Sequence, residues 1–243
     1  MPKFLPTADW KMGRAFPRFE PEAGAALVEA RFEAIETLAQ LANEHQCDAV
    51  LVAGDVFDAQ TVSDRTIRRV FNATKAFAGP WVMLPGNHDA ALAESVWTLA
   101  QRLGAVPENV HLALQPGVIE LEPQRLSILC APLTQRHTYG DLTEPFSGYE
   151  TTEGFPRVGL AHGSVQGLVR DESDSRNPSA PDRAKGSGLQ SRALGDLHGT
   201  KQCGERAWYS GTPEPERFRN NEAGNALIVA VAEGGATPTV TQI

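Results

Sequence analysis

Long hydrophobic runs are missing from this 243-residue chain. No apolar stretch approaches the ~20 residues of a membrane-spanning helix. No charged segment leading into an apolar one opens the sequence either, so a cytoplasmic protein without a membrane partner is expected. Cysteine is scarce: Cys47, Cys130 and Cys203 are odd in number and lack C-x-x-C spacing. That argues against a disulfide framework and against a thiolate zinc site. Positive charge is also in short supply, with 22 Lys and Arg against 30 Asp and Glu and a net charge of −8. The chain as a whole lacks the basic field that attracts phosphate backbones, although a local patch can still do so. What remains, 41% hydrophobic and 21% charged residues, is ordinary for a soluble globular protein.

In the first half, short apolar runs alternate with longer periodic ones. Residues 3–9 (KFLPTAD), 49–55 (AVLVAGD) and 81–87 (WVMLPGN) read as buried strands. Residues 24–45 place Ala26, Leu27, Ala30, Ile35, Leu38, Leu41 and Ala42 on one helical face. Ser63 followed by 65–77, and residues 94–103, predict two more helices. This is the alternation of βαβ units with a largely parallel sheet. The second half turns to strand-like runs (NVHLAL, GVIELE, LSILCAPL, RVGLAHG, RALGDLHG, RAWYSG, NALIVAVA), broken by polar stretches at 134–156 and 164–186. The latter reads as a long loop or lid. With no internal repeat and no linker, residues 1–243 are expected to form a single domain.

Five of the apolar runs end in a side chain able to bind metal: Asp9, Asp55, Asn87, His162 and the pair Asp196/His198. In α/β sheets, ligands gather at the carboxyl ends of the strands, so these side chains can converge on one pole. A single aspartate at a strand end is ordinarily a turn former or a helix cap. Five such endings in order, two of them inside GDVFD (54–58) and GNHD (86–89), point to a site.

These motifs, with AHG (161–163) and GDLH (195–198), resemble the calcineurin-like metallophosphoesterases, whose members carry D-x-H, G-D-x-x-D, G-N-H-D/E, a lone His and G-H-x-H in that order. The resemblance runs from Asp9 to about Phe218, and HTYGDLTEPF and YSGTPEPERF look most like bacterial relatives of the SbcD-type DNA-repair exonucleases without their capping domain. It implies a four-layer αββα sandwich, two mixed β-sheets flanked by helices. It also implies one or two divalent ions, Mn²⁺ first and Fe, Zn²⁺ or Mg²⁺ as alternatives. Asp55 would bridge the two ions. Asn87, His162 and Asp196 would complete one, with Asp196 standing where the family has a histidine. Asp9 and His198 would serve the other, where Lys11 replaces the usual histidine. His88 would steady the transition state or protonate the leaving oxygen, and Asp89 would orient it. Asp58 is read as supporting the loop.

The chemistry calls for these types. Hydroxide attack on an anionic phosphodiester needs charge neutralisation and a nucleophile available near neutral pH. Two cations supply both, by clamping phosphoryl oxygens and lowering the pKa of bound water, and Asp, Asn and His suit Mn²⁺, Fe or Zn²⁺. Lys11 is the anomaly. A strand places residues i and i+2 on one face, so Lys11 is expected to point where Asp9 points, and Asp196 and His198 likewise to share a face. The usual family ligand set contains two carboxylates, a formal −2; here Asp9, Asp55 and Asp196 with one ammonium also sum to −2. The favoured reading is a protonated Lys11 paired with Asp9 or Asp196. One metal is then well held by Asp55, Asn87, His162 and Asp196, and the other is weak, absent or partly replaced. A neutral amine ligand, a phosphate-binding lysine and a solvent-facing lysine stand as alternatives.

Weaker signals remain. Arg136 and His137 follow a strand end and are candidates for substrate contact, against the reading of an ordinary polar loop. His45 and His111 read as structural, and Tyr209 as packing with an approach to the site left open. Residues 1–18 hold Lys3, Lys11, Arg14 and Arg18 against Asp9 alone, a small basic strip. The expected activity is metal-dependent hydrolysis of phosphodiesters through a metal-activated hydroxide, with DNA the favoured substrate class. A small-molecule phosphatase or diesterase and a non-catalytic scaffold are the rivals, and an ATPase-type protein partner or a homodimer is left open.

Overall fold

A computed structural model describes residues 1–168, 177–215, 223–232 and 235–243. Of the expected lid, residues 169–176 lie outside the described ones, as does the end of the YSGTPEPERF motif.

One sheet has the order β14-β13-β1-β2-β3-β4. Its strands are β1 (Lys3–Thr7), β2 (Ala49–Ala53), β3 (Trp81–Leu84), β4 (Val110–Leu112), β13 (Leu227–Ala230) and β14 (Thr239–Gln242). The first four run parallel, with Phe4 opposite Ala49 and Val50 opposite Trp81; β13 joins β1 antiparallel, and the edge strand β14 joins β13 antiparallel. The other sheet has the order β11-β12-β10-β7-β6-β5. It comprises β5 (Gly117–Leu121), β6 (Leu126–Ala131), β7 (Arg157–His162), β10 (Ser191–Gly195), β11 (Lys201–Gln202) and β12 (Ala207–Tyr209). Strands β6, β7, β10 and β12 are parallel, and β5 and β11 are antiparallel edges. A short pair, β8 (Ser164–Val165) and β9 (Pro178–Ser179), stands apart.

Strand alternation explains the layers. Phe4, Leu51, Val82 and Leu84 face inward and meet Ile128, Cys130, Val158 and Leu160 of the other sheet. The intervening Leu5, Val50, Val52, Trp81 and Met83 face outward, against the helices. Those helices are α1 (Pro21–Glu44), α2 (Asp64–Thr74) and α3 (Val96–Arg102). α1 begins three residues earlier than its apolar pattern suggests, because Pro21 suits the first turn, where its missing N–H is no loss. Phe32, Ile35, Leu38, Ala39 and Ala42 form its buried face. The Ser63 hydroxyl caps α2, and Ser95 and Thr98 exchange hydrogen bonds at the start of α3. The outer face of the second sheet is covered more thinly. Phe146 and Leu189 pack there, with a 3₁₀ turn at Glu144–Gly148 and the four-residue α4 (Arg183–Gly186) the helical cover among the described residues.

Two mixed sheets flanked by helices are thus the architecture, as expected. All three cysteines are free, and no helix among the described residues is long and apolar enough to cross a membrane.

Candidate metal centre

The parallel strands β1, β2 and β3 of one sheet and β7 and β10 of the other end at the same pole. Asp9, Asp55 and Asn87 follow the first three, His162 ends β7, and Asp196 and His198 follow β10. Ligand atoms of Asp9, Asp55 and His162 lie within 4.8 Å of one another, and all three residues are buried. The His162 Nε2 is 3.0 Å from the Asn87 Oδ1, 3.6 Å from Asp55 and 3.8 Å from the Asp196 Oδ1. The His198 Nε2 is 3.8 Å from the Asp9 Oδ1. The structure therefore brings together all six residues singled out as metal ligands.

The backbone is bent to achieve this. Asp9, Lys11, Asp55 and Asp196 all have positive φ, between 50° and 99°, where a side chain is disfavoured. Close approach is the second device. A Cβ on Gly86 would collide with the Asp55 backbone and carboxylate, and one on Gly195 with the Ala53 carbonyl. The turn at 9–12 is fastened to the turn at 54–58 by backbone hydrogen bonds from Asp9 to Gly54, Lys11 to Asp55 and Met12 to Val56, of 3.0, 3.0 and 2.8 Å.

Lys11 is 3% exposed, and its ammonium is ion-paired and hydrogen-bonded to the Asp55 Oδ2. The Asp9 Oδ1 is 3.9 Å away. The expectation of a partner in Asp9 or Asp196 is corrected: Asp55 is the principal partner, Asp9 a distant one, and the solvent-facing alternative is excluded. Strand alternation was also the wrong reason for the direction of Lys11, since β1 stops at Thr7 and two left-handed residues carry the chain onward. Burial alone would lower the Lys11 pKa, but Asp55 and Asp9 outweigh it and the net shift is upward, so the side chain stays an ammonium. Burial works the other way on Asp55, but His162 and Lys11 hold it ionised with its pKa below the usual value.

The donors fit a divalent cation. The Asp9 Oδ1 is buried and accepts no hydrogen bond, an arrangement that is costly unless a cation meets it. The His162 Nδ1 donates to the Ala53 carbonyl at 2.8 Å, which turns Nε2 toward the carboxylates. Without metal, burial opposes charging of that ring, but Asp55, Asp9 and Asp196 push its pKa up to about 9, so a proton occupies Nε2. One nitrogen facing carboxylate and amide oxygens is a set that suits Mn²⁺, Fe or Zn²⁺.

His88 lies at the rim, its backbone N–H donating to the Asp55 Oδ1 at 2.8 Å. Its ring Nδ1 donates to the Asp58 carbonyl at 2.8 Å, with the Asp58 carboxylate 3.8 Å off, so Nε2 is the nitrogen left for substrate. The ring is therefore bonded to Asp58 and not to Asp89, the partner expected for it. Asp89 is fully buried and spends both oxygens on backbone, accepting from Phe57 at 3.0 Å and Gly86 at 2.7 Å. Burial and the nearby Asp55 push its pKa up to about 7.

Arg136 and His137 lie in the exposed segment after β6, beside Thr138, which lines a small cavity with His162. Tyr209 braces the site from behind, its hydroxyl donating to the Gly163 carbonyl and accepting from Val165. Two contacts escaped sequence reasoning. The Ser164 hydroxyl donates to Asp196 at 3.1 Å, and the Arg31 guanidinium, buried under α1, donates to the Trp10 carbonyl at 2.6 Å. An arginine on the apolar side of α1, next to Phe32, was the available signal for the second.

Comparison with known proteins agrees with this geometry. No curated protein sequence matches the chain. Among solved structures, the crystal structure of TT1561 of Thermus thermophilus superposes with a TM-score of 0.58 at 14% identity, over 96% of this chain and 98% of that one, a likeness of fold. The family model for calcineurin-like phosphoesterases matches residues 3–178, a span that includes Asp9, Asp55, Asn87, His88 and His162 and stops short of Asp196 and His198. The chain belongs to the calcineurin-like phosphoesterase family.

Proposed function

We propose that the protein hydrolyses phosphodiesters with a divalent cation, Mn²⁺ in the first instance, and that the Lys11 ammonium takes over the charge of a second cation. The observation that carries this reading is the ion pair of Lys11 with Asp55. Asp55 also faces His162, so one carboxylate lies between an ammonium and the remaining donors, Asn87, His162 and Asp196.

A bound cation would neutralise phosphoryl charge and lower the pKa of a coordinated water. The residues of the chain do the rest. Asp9, Asp55, Asn87, His162 and Asp196 would hold the cation, and His198 would flank it. Hydroxide, formed when water releases a proton to solvent, attacks phosphorus as the bond to the leaving oxygen breaks; that oxygen takes a proton from the His88 Nε2, and the ring is reprotonated from solvent. Asp58 aims the ring by accepting from its Nδ1. Arg136 and His137 are proposed to meet the substrate from the segment beside the site.

Turnover of bis(p-nitrophenyl) phosphate with added Mn²⁺, abolished by a chelator and restored by metal, is the expected result. Absence of turnover with Mn²⁺, Fe²⁺, Zn²⁺ and Mg²⁺ alike would leave the scaffold reading in its place.

A further inference from the structure

The loop that carries Lys11 continues into residues 14–19, which wall a cavity of about 500 Å³, within the size range of small-molecule sites. Arg14, Phe16, Arg18, Phe19, Leu27 and Arg31 line it. Among the described residues, three guanidiniums, two phenyl rings and no carboxylate make up its functional lining, on a chain whose net charge is −8. The Phe16 and Phe19 rings meet edge to face, with centroids 6.2 Å apart, and the Arg31 guanidinium sits 5.4 Å from the Phe16 centroid. Phe19 is 48% exposed, so much of it is presented to solvent beside cationic groups. Glu214 approaches Arg31 from the neighbouring segment and is not part of the wall.

The cavity is mechanically tied to the metal centre. The Arg31 Nη1 donates to the carbonyl of Trp10, the residue between Asp9 and Lys11, and the Arg14 N–H donates to the Lys11 carbonyl at 3.2 Å. A ligand seated against Arg14 and Phe16 is therefore held by the same turn that carries Asp9 and Lys11.

We infer that this cavity is a nucleotide subsite, with the base stacked on Phe19 and bordered by Phe16, and the adjoining phosphate met by Arg18 with Arg14. The inference rests on the phosphodiesterase reading for its role in turnover, though not for binding itself. Aromatic rings accept any base face, and guanidiniums pair with phosphate in a forked geometry. A free nucleotide and the end of a single strand share this chemistry.

Equilibrium dialysis of the full chain in chelator tests it without catalysis. Adenosine monophosphate should bind more tightly than ribose phosphate, and Phe19→Ala and Arg18→Ala, both at exposed positions, should each weaken it. Loss of the ring should cost about 5–150-fold, the range for one stacked base. Equal binding of adenosine monophosphate and ribose phosphate, or no change in Phe19→Ala, overturns the subsite. Oligothymidylate binding tighter than the mononucleotide, with a steep salt dependence, assigns the site to a strand; equal binding assigns it to a free nucleotide. A chain that binds adenosine monophosphate yet hydrolyses no diester keeps the subsite and loses the proposed activity. Diester turnover without nucleotide binding does the reverse.

Discussion

The Lys11 ammonium is paired with the carboxylate of Asp55, both almost wholly buried, at the place where two sheets converge. Asp55 is the residue that would otherwise bridge two cations, and Asp9 stands 3.9 Å from the same ammonium. A buried carboxylate pair without compensation is unstable, and in the metal-free site Lys11 and the protonated His162 together supply it.

Removing that compensation should be costly. Lys11→Met is expected to lower the stability of the chelated protein by about 3–5 kcal/mol, the range for breaking one partner out of a buried ion pair. Saturating Mn²⁺ should recover much of it by binding the folded state. Urea unfolding with chelator and with Mn²⁺ checks this, and a loss that metal does not relieve would show that Lys11 serves packing alone.

His88→Ala should reduce kcat on bis(p-nitrophenyl) phosphate by about 10²–10⁴-fold, the usual scale for a general acid. The metal content per chain should stay that of the parent, because the ring bonds to Asp58 rather than to the cluster. Loss of metal together with activity would count against the assigned role.

Much of this was legible in the sequence. The five ligand-bearing run ends were found because parallel strands deliver their carboxyl ends to one pole, and a run such as AVLVAGD reveals its end directly. The edge strand β14 was not found, since TVTQ is short and mostly exposed, with no buried face to mark it. The partner of Lys11 was missed for a different reason. Period-two alternation holds only within a strand, and here the direction of the side chain is set by left-handed residues and by the register of one turn against another. Asp89, next to His88 in the chain, is the partner expected from the motif; the fold of the 86–89 turn clamps Asp89 on Gly86 and Phe57 and brings the ring to Asp58 instead. The basic strip at 1–18 shrinks for the same reason, because Lys11 points inward.

Gly86→Ala tests the close approach behind Asp55. A methyl group there meets the Asp55 backbone N and carboxylate. The variant should lose about 1–3 kcal/mol, as overpacking does, and its Mn²⁺ affinity should fall as Asp55 is displaced. A variant with parental metal affinity would mean that the 55 and 86 turns separate freely.

Asp141 provides a pH signature away from the metal. Burial would raise its pKa, but hydrogen bonds from the Thr143 hydroxyl, Arg183 and the backbone of Ala180 and Thr143 hold it below the usual value. A carboxylate with a lowered folded pKa adds stability that is complete above its unfolded pKa and is lost as pH falls through the folded value. The stability difference between parent and Asp141→Asn should therefore be largest near neutrality and shrink below about pH 4. Urea midpoints across that range check it, and a difference independent of pH would remove Asp141 from the acid limb.

Metal content per chain, measured on purified parent and Lys11→His after dialysis against Mn²⁺, tests the central claim most directly. The account predicts about one tightly held ion for the parent, where the ammonium occupies the second cation's charge, and about two for Lys11→His, which restores a donor and removes that charge. Two ions in the parent, or no gain in the variant, would contradict it.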